Sequence, residues 1–475
     1  MGGYDVNWQE EVNKRKEQIV ETARAFLQIE SVLDEATATE SSPFGKGIDK
    51  ALTFLLQRGK EFNLSTKNVD GYAGLIEYGH GEESVGVLCH IDVVPAQSNG
   101  WLTHPFAAEV RDQAIIARGA MDNKGPTIAS FFALVLLKEL GLEVNKRVQL
   151  ILGTDEESHW RCVEHYFKQE EMPVIGFAPD ADFPIIHAEK GIIDVMLSQS
   201  RQATNQPNSI IKLVRFTAGE RMNMVPDEAV ALLEGNLTHL EMIKEKYEHY
   251  LQNEGLDGMA RLKQSQIELT CFGKAAHGST PEVGVNAGVE LASFLVHQGN
   301  LQDAISRFFS FVSTMRHDYT GKSFGIDMKD EVSGMLSVNA GLITYEEDGE
   351  AQLGCNIRYP VTKNGDVLIN KLATLAQEHR LHCRIIDHMK PSYVEKDDPL
   401  IQTLQAVYER HTGEKAELLA IGGGTYARSL KKGVAFGPLF PGREDRAHQK
   451  NEEILIEDLL KMTAIYADAM YELAK

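Results

Sequence analysis

A chain of 475 residues is too long to fold around one hydrophobic core, so we expect at least two domains. Hydrophobic residues make up 43% of the chain and charged residues 25%, which is the ordinary composition of a water-soluble globular protein. The formal net charge of -21 argues against nucleic acid and anionic membranes as partners, because no basic cluster offsets it.

The cellular location can be predicted from what the sequence lacks. No apolar run is long enough to span a bilayer, and the first residues contain no apolar stretch of the kind that a secretory signal needs. The 5 cysteines are an odd number, scattered, and form no CxxC pair, which favours buried thiols in a reducing compartment over disulfides or a zinc knuckle. We therefore predict a cytoplasmic protein.

Helices and strands alternate in the first part of the chain. Apolar residues at helical spacing indicate amphipathic helices, and short apolar runs that end in polar clusters indicate buried strands. Such an alternation is typical of a mostly parallel α/β sheet flanked by helices. The predicted elements are helices over 8–30, 47–60 and 124–140 and strands over 84–91, 147–153 and 174–178.

The pattern changes near residue 190 to an α+β segment with antiparallel strands, and the α/β pattern returns after Pro391. We therefore predict one catalytic α/β domain built from residues 1–190 and 391–475, with an α+β domain over 191–390 inserted into it. The elements predicted beyond residue 190 are strands over 210–216, 228–233, 265–276, 334–345, 351–358 and 434–437 and helices over 239–252, 284–297, 365–379, 399–411 and 457–473.

The apolar run SVGVLCHIDVVP ends by presenting His90 and Asp92. Ligands of α/β sheets bind at the carboxyl ends of strands, so this pair stands where a site would form. Residues two apart on a strand share a face, which lets the Asp92 carboxylate approach the His90 imidazole, as the carboxylate partner of a metal-bound histidine does. Taken alone, a histidine satisfied in a loop is the simpler interpretation.

Carboxylates follow at three further places. Asp122, in ARGAMDNKG, precedes a long helix and could either bridge two cations or cap that helix. The strand VQLILG leads into Glu156 and Glu157 at a predicted helix start. Acidic residues there could simply be stabilised by the helix dipole, or one glutamate could bind a metal ion while the other acts as a free base. Asp180 ends the strand VIGFA.

His448, in EDRAHQKNE, lies on a loop ahead of the last helix. Together with the carboxylates it completes a set that suits a pair of catalytic zinc, manganese or cobalt ions better than a structural zinc, since it holds imidazole and carboxylate but no thiolate. A shared Asp122 would hold the two ions close together. The predicted ligands are His90, Asp122, Glu157, Asp180 and His448. All of them except His448 are expected at successive strand ends of one sheet.

These motifs resemble a known family. CHIDVVP, GAMDNKG, GTDEES and PDADFP, in this order and with HQKNE near the end, are similar to the aminoacylase and carboxypeptidase group of two-metal exopeptidases. The fuller strings GFAPDADFPIIHAEKG, NMVPD, GVNAG and IGGGTYAR resemble its PepV-type dipeptidase branch, and the similarity covers essentially the whole chain.

The resemblance implies a role for each ligand. His90 and Asp180 would hold the first metal ion, Glu157 and His448 the second, and Asp122 would be shared between them. Two divalent metal ions are implied as cofactors, zinc first, with manganese or cobalt as alternatives.

The resemblance also implies roles outside the ligand set. Asp92 would orient His90, Glu156 would be the general base, and His277, in GKAAHGST, would stabilise the oxyanion. The inserted domain would act as a lid that admits only short peptides. The residues implied to hold the substrate's terminal carboxylate are Asn223, Arg358 and the loop Gly422–Thr425, with Gly423, Gly424 and Thr425 as its contacts.

Two positions depart from the family pattern. Many relatives have a second Asp after the bridging one, where this chain has Asn123, which puts the local charge balance in doubt. Close relatives often have Glu where this chain has Asp182.

The activity implied is metal-dependent hydrolysis of dipeptides in which Glu156 takes a proton from water. Deacylation of N-acyl or N-succinyl amino acids on the same scaffold is the nearest alternative. A non-catalytic, metal-dependent small-ligand binding protein is an alternative of another class, against which Glu156 argues. The dipeptidase branch favours a monomer over a dimer, with short peptides as the partners.

Overall fold

The computed structural model describes residues 6–199, 211–298, 303–347 and 349–475. In chain order its α-helices are α1 (Trp8–Asn13), α2 (Lys16–Leu27), α3 (Lys46–Glu61), α4 (Lys124–Glu139), α5 (Arg161–Gln169), α6 (Leu237–Glu254), α7 (Ala287–His297), α8 (Asp303–Ser313), α9 (Gly365–Glu378), α10 (Pro399–Thr412) and α11 (Ile456–Ala474).

The strands are β1 (Ser65–Val69), β2 (Ala73–Tyr78), β3 (Ser84–His90), β4 (Glu109–Arg111), β5 (Ala114–Ile116), β6 (Arg147–Gly153), β7 (Ile175–Ala178), β8 (Ala181–Asp182), β9 (Ile185–Glu189), β10 (Gly191–Gln199), β11 (Ile211–Ala218), β12 (Glu228–Gly235), β13 (Asp257–Lys263), β14 (Gln266–Phe272), β15 (Lys329–Asp330), β16 (Gly334–Met335), β17 (Ser337–Glu346), β18 (Ala351–Tyr359), β19 (His382–Met389), β20 (Ser392–Tyr393), β21 (Leu418–Ile421), β22 (Gly433–Ala435), β23 (Pro438–Leu439) and β24 (Glu453–Leu455).

The chain forms two compact units. The first consists of the residues up to Ala188 together with Tyr393–Ala420 and Gly424–Lys475, and the second consists of Glu189–Ser392 with Ile421–Gly423. The second unit is therefore inserted into the first, and the last residue of β21 and the two residues after it are grouped with the second unit.

The first unit is built on a mixed sheet with the strand order β1-β2-β6-β3-β7-β22-β9-β20. Its centre is parallel, because β6, β3, β7 and β22 run in the same direction. Antiparallel pairs lie on either side of this centre, β1 with β2 and β2 with β6 on one side and β22 with β9 on the other. The predicted α/β class is confirmed, with a parallel core and antiparallel margins.

Helices α4 and α11 supply much of the core of the first unit. They pack against each other, and nearly all of their residues are buried. Helix α4 is apolar around its whole circumference, which is the pattern of a helix covered on all sides. The phenylalanines Phe131 and Phe132 of α4 are fully buried in this core.

The second unit is an α+β arrangement, as predicted. Its sheet has the order β13-β14-β12-β11-β17-β18-β10-β19, and its paired strands run antiparallel. Helices α6, α7 and α9 pack against this sheet, and their apolar residues join the strands in a second hydrophobic core.

Most predicted elements match observed ones to within a few residues. The single helix predicted over 8–30 is wrong, because the chain turns between α1 and α2 at Arg15, whose N–H bonds to Val12 three residues back. The elements that were not predicted include strands β1, β2, β9, β10, β13 and β19 and helix α8, and residue 210, the predicted start of a strand, lies outside the described residues. In the described part of the chain we find no helix long and apolar enough to cross a membrane.

Candidate metal centre

Three of the predicted ligands follow neighbouring parallel strands of the first unit. His90 is the last residue of β3, Glu157 lies four residues after the end of β6, and Asp180 lies two residues after the end of β7. Strands β6, β3 and β7 are adjacent and parallel, so their carboxyl ends meet at one edge of the sheet. This shared edge brings the three side chains together.

Asp122 reaches the same place by another route. The prediction that Asp122 follows a strand of the same sheet as the other ligands is wrong. The strand that precedes Asp122, β5, belongs to a separate small sheet with β4 and β24. Asp122 lies in the turn between β5 and α4, so the start of a buried helix determines its position. It does not cap that helix, because the cap position is taken by Asn123, whose side chain makes no cap hydrogen bond.

The acidic run after β6 also differs from its prediction. We expected Glu156 and Glu157 at the start of a helix, but α5 begins only at Arg161. The two glutamates lie in a turn, and their backbone N–H groups donate hydrogen bonds of 3.2 and 3.0 Å to the two carboxylate oxygens of Asp92. The helix dipole therefore does not explain these acids.

The first group of possible ligands is His90, Asp122 and Asp180. His90 Nε2 lies 2.9 Å from Asp122 Oδ1 and 3.3 Å from Asp180 Oδ1. The His90 side chain is fully buried, so the packing around it restricts the orientation of the imidazole. These three side chains converge through one ligand atom each.

The second group is Asp122, Glu157 and His448. His448 Nε2 lies 3.0 Å from Asp122 Oδ2 and 3.0 Å from Glu157 Oε2. Asp122 thus turns one carboxylate oxygen to each group. Two sets of three ligands that share one carboxylate are the arrangement expected of a two-metal site.

Asp92 and Glu156 border the first group without belonging to it. The Nδ1 atom of His90 lies 3.1 Å from the backbone carbonyl of Asp92 and 3.5 Å from its Oδ1. Glu156 Oε2 lies 3.9 Å from His90 Nε2. Since Asp92 also accepts the backbone N–H groups of the glutamate turn, it connects the ends of β3 and β6.

The electrostatics of these protein groups reflect how closely they are packed. The hydrogen bonds of Asp122 and Glu157 raise the pKa of His448 to about 10. Burial raises the pKa of Glu156 well above its ordinary value, and the nearby carboxylates of Asp180 and Asp122 add to this. Carboxylates that raise one another's pKa in a buried cluster are the groups that cations stabilise most effectively.

The donor chemistry of the cluster fits two divalent ions. It offers imidazole nitrogen and carboxylate oxygen with no thiolate, the ligand set of catalytic zinc, manganese or cobalt sites. The ligand atoms within each group already lie within 4.8 Å of one another, so no large rearrangement is needed to bring them around an ion.

The supporting contacts of Glu452 and Asn123 were not predicted from the sequence. Glu452 is fully buried and accepts hydrogen bonds from the Arg118 guanidinium at 2.6 Å and from the Asp122 N–H at 3.0 Å. Asn123 donates from Nδ2 to the backbone carbonyl of Pro179 and to Asp180 Oδ1, the latter at 3.2 Å. Glu452 stands in the HQKNE string, where a charged residue close to a predicted ligand was the available signal.

The residues predicted to contact the substrate lie mainly in the second unit. His277 and Asn223 are exposed on loops that meet, since Met224 forms a bridge with His277 and the Gly278 N–H bonds to the Asn223 carbonyl at 2.7 Å. Arg358 is buried on β18 and donates from Nη1 to the Gly422 carbonyl at 2.7 Å. Within the second unit, the predicted carboxylate-binding arginine and the start of the glycine loop are therefore in contact.

The remaining residues of the glycine loop, 423–425, differ in burial and in the unit to which they belong. Gly423 is half-buried and grouped with the second unit, whereas Gly424 is exposed and grouped with the first. Thr425 is buried and its Oγ1 accepts the Ala427 N–H, which caps a short 3-10 helix. Thr425 thus has a structural contact, and its role in substrate binding stays a prediction.

Comparison with known proteins identifies the family to which this chain belongs. The sequence model of peptidase family M20/M25/M40 matches residues 86–472. The putative dipeptidase YtjP of Bacillus subtilis (strain 168) is 49% identical over 472 residues, which cover 99% of this chain and 100% of that protein. A putative dipeptidase of Staphylococcus aureus is 41% identical over 470 residues, which cover 98% and 99%.

The chain therefore belongs to peptidase family M20/M25/M40, and it is a metallopeptidase. Among solved structures, the aminoacylhistidine dipeptidase from Vibrio alginolyticus superimposes with a TM-score of 0.58 over 96% of each chain. At 16% identity this likeness concerns the fold alone.

Proposed function

We propose that this protein is a dipeptidase that hydrolyses the peptide bond of free dipeptides with the help of two divalent metal ions. The observation that carries the proposal is the shared carboxylate: Asp122 turns Oδ1 to His90 at 2.9 Å and Oδ2 to His448 at 3.0 Å. The descriptions of the relatives from Bacillus subtilis and Staphylococcus aureus support dipeptides as the substrate class.

In this proposal His90, Asp122 and Asp180 hold one ion, and Asp122, Glu157 and His448 hold the other. When bound, such ions lower the pKa of water and polarise the carbonyl of the bond to be cleaved. Zinc is the first candidate, with manganese and cobalt as alternatives, because the ligands are nitrogen and oxygen atoms.

Glu156 is the proposed general base. It lies beside the first ligand group but belongs to neither group, so its carboxylate is available to a proton. Burial raises its pKa, which suits a group that accepts a proton from the attacking water and returns it to the leaving amine. Asp92 keeps Glu156 in place through the backbone N–H of that residue and orients His90.

His277 is the proposed donor to the oxyanion. His277 Nδ1 lies 2.7 Å from Ser279 Oγ and 3.3 Å from Ser279 N, and when Ser279 donates to it the ring proton of the neutral form is on Nε2. Partial desolvation of the ring and the nearby charge of Arg358 lower the pKa of His277, which favours this neutral form. An N–H held in this way can donate a hydrogen bond to a developing negative charge.

The terminal carboxylate of the substrate is assigned to Asn223, Arg358, Gly423, Gly424 and Thr425. Backbone N–H groups and a guanidinium are suitable donors to a carboxylate. Binding of the terminal carboxylate at a set distance from the cleaved bond would allow one residue after that bond, and the second unit, acting as a lid, would exclude long chains before it.

Hydrolysis of a matched substrate panel tests the proposal. The panel holds a free dipeptide, its N-acetylated form, a tripeptide and an N-succinyl amino acid, each offered to chelator-treated protein before and after zinc or manganese is added. We expect cleavage of the free dipeptide only, restored by metal. Cleavage of the acylated substrates alone would identify a deacylase instead. Metal binding without cleavage of any substrate would favour a binding protein.

A further inference from the structure

The face of β18 that carries Arg358 also carries a second buried polar residue, Asn356. Residues two apart on a strand point to the same side of the sheet. Asn356 is 1% exposed and Arg358 is 5% exposed, whereas Cys355 and Ile357 point to the other side, into the hydrophobic core of the second unit. Two adjacent buried polar side chains on an apolar strand require partners.

Their partners form a continuous chain of hydrogen bonds. Asn356 Nδ2 donates to Asp194 Oδ1 at 2.6 Å, and Arg358 Nε donates to Asn356 Oδ1 at 2.7 Å. The chain ends where Arg358 Nη1 donates to the Gly422 carbonyl at 2.7 Å. All four residues belong to the second unit.

The chemistry of the partners leaves Asn356 one orientation. The carboxylate of Asp194 accepts hydrogen bonds, so the amide nitrogen must face it. The guanidinium of Arg358 only donates, so the amide oxygen must face it. A reversed amide would place two acceptors together at Asp194 and two donors together at Arg358. The plane of the Arg358 guanidinium is therefore held at Nε by Asn356 and at Nη1 by the loop.

A neighbouring residue does the same for the loop that carries Asn223. Asn339 lies on β17 directly opposite Asn356, and Asp194 lies opposite Asn356 on the other side, on β10. Asn339 Nδ2 donates to the carbonyls of Met222 and Met224, both at 2.8 Å, which flank Asn223 on either side. Met222 packs against Gly354 on the same face, where a β-carbon would lie 2.9 Å from its methyl group.

We propose that Asp194, Asn356 and Asn339, a polar row on one register line across β10, β18 and β17, are positioning residues for the substrate's terminal carboxylate. Asn356 and Asp194 fix the guanidinium of Arg358, and Asn339 fixes the turn that presents Asn223. The inference rests on the proposed function, which assigns carboxylate binding to Arg358 and Asn223. A guanidinium held by its neighbours loses less conformational entropy when it binds a carboxylate.

The test compares a dipeptide with its C-terminal amide, which differ only in the carboxylate. The variants are Asn356→Leu, which removes both hydrogen bonds at similar size, and Gln352→Leu, a control four residues earlier on the same face of β18. For Asn356→Leu we expect KM for the acid to rise about 10- to 100-fold, with a smaller change in kcat and little change for the amide. The Gln352→Leu variant should retain the wild-type ratio of kcat/KM between acid and amide.

An exchange of the two polar groups provides a rescue. Asn356→Asp alone places a second carboxylate against Asp194 and should lose preference for the acid. The double variant Asn356→Asp with Asp194→Asn restores a donor to an acceptor at both contacts, so the preference should return within about threefold of the wild type. This pair keeps the proposal testable if the leucine variant fails to fold.

The possible outcomes distinguish failure of the positioning role from failure of the proposed function. Wild-type protein that cleaves no free dipeptide overturns the proposed function, and equal cleavage of acid and amide overturns the carboxylate assignment along with the inference. Wild-type preference for the acid that survives in Asn356→Leu, or equal losses for acid and amide, overturns the positioning role alone. Absence of rescue in the double variant also counts against it.

Discussion

Glu452 holds Asp122 through the backbone: the Asp122 N–H donates to Glu452 Oε1 at 3.0 Å. The same carboxylate accepts the N–H groups of Met121 and Gly119 and pairs with Arg118. A fully buried carboxylate thus fixes the turn before α4, which sets the direction in which Asp122 presents its two oxygens. The shared candidate ligand of the metal centre therefore depends on a residue that belongs to neither ligand group.

Replacing Glu452 by Ala should destabilise the first unit and weaken metal binding. Arg118 would remain buried without its carboxylate, a loss of roughly 3–5 kcal/mol for a broken buried pair. Urea unfolding followed by tryptophan fluorescence measures this, because Trp8, Trp101 and Trp160 all lie in the first unit. The exposed Glu457, changed to Ala, is the control, and a free energy of unfolding unchanged in Glu452→Ala would contradict the role.

Replacing Glu156 by Gln should lower kcat by about 10²–10⁴-fold while both metal ions remain bound. The glutamine preserves the size of the side chain but cannot accept the proton, and Glu156 is in neither ligand group. Steady-state hydrolysis and metal analysis of the same sample check this. The control variant Glu164→Gln, at an exposed position, should change neither kcat nor the amount of bound metal. Loss of the metal ions from the Glu156 variant would show that it is a ligand and not the base.

Replacing His448 by Ala should reduce the bound metal from two ions towards one. The variant loses a nitrogen of the second ligand group, while His90, Asp122 and Asp180 keep the first. In the chelator-treated protein the variant also loses the contacts of His448 with Asp122 and Glu157, so the free energy of unfolding is measured beside the metal content to separate loss of a ligand from loss of the fold. His165, which pairs with Asp70 elsewhere on the first unit, provides the control. Retention of both ions would refute the assignment of His448.

Lys124 makes stability depend on pH. Burial lowers its pKa from 10.5 to about 7, and its ammonium has only the Ile29 carbonyl at 2.6 Å and the Phe26 ring at 4.7 Å as close partners that we identify among the described residues. Between these pH values the unfolded chain binds more protons than the folded one. The free energy of unfolding therefore gains up to about 1.4 kcal/mol per pH unit as pH rises through this window, and loses it as pH falls towards 7.

The variant Lys124→Met should lack this gain. Urea titrations at pH 7, 8 and 9 compare its slope with that of wild type, and the difference isolates Lys124 from other groups that titrate in the same range. Lys138, an exposed lysine of the same helix, changed to Met, should keep the wild-type slope. Equal slopes for wild type and Lys124→Met would mean that Lys124 stays protonated in the folded protein.

The order of elements and much of the candidate site could be predicted from the amino-acid sequence alone. Fully buried strands are apolar throughout, so the first polar residue after each run marks a strand end, which is how His90 and Asp180 could be recognised. Parallel strands then carry such ends to one edge of the sheet. The roles of His277 and Arg358 came from resemblance to a family and not from periodicity.

The contacts that hold these side chains depend on the packing of distant parts of the chain. Asp122 depends on Glu452, which is 330 residues away, and Asn356 depends on Asp194, which is 162 residues away. Hydrophobic periodicity reports which face of an element is buried, but it carries no information on which distant strand or loop covers that face. For this reason the sequence could indicate the ligands, whereas the residues that orient them emerged only when strand register and loop packing were in place.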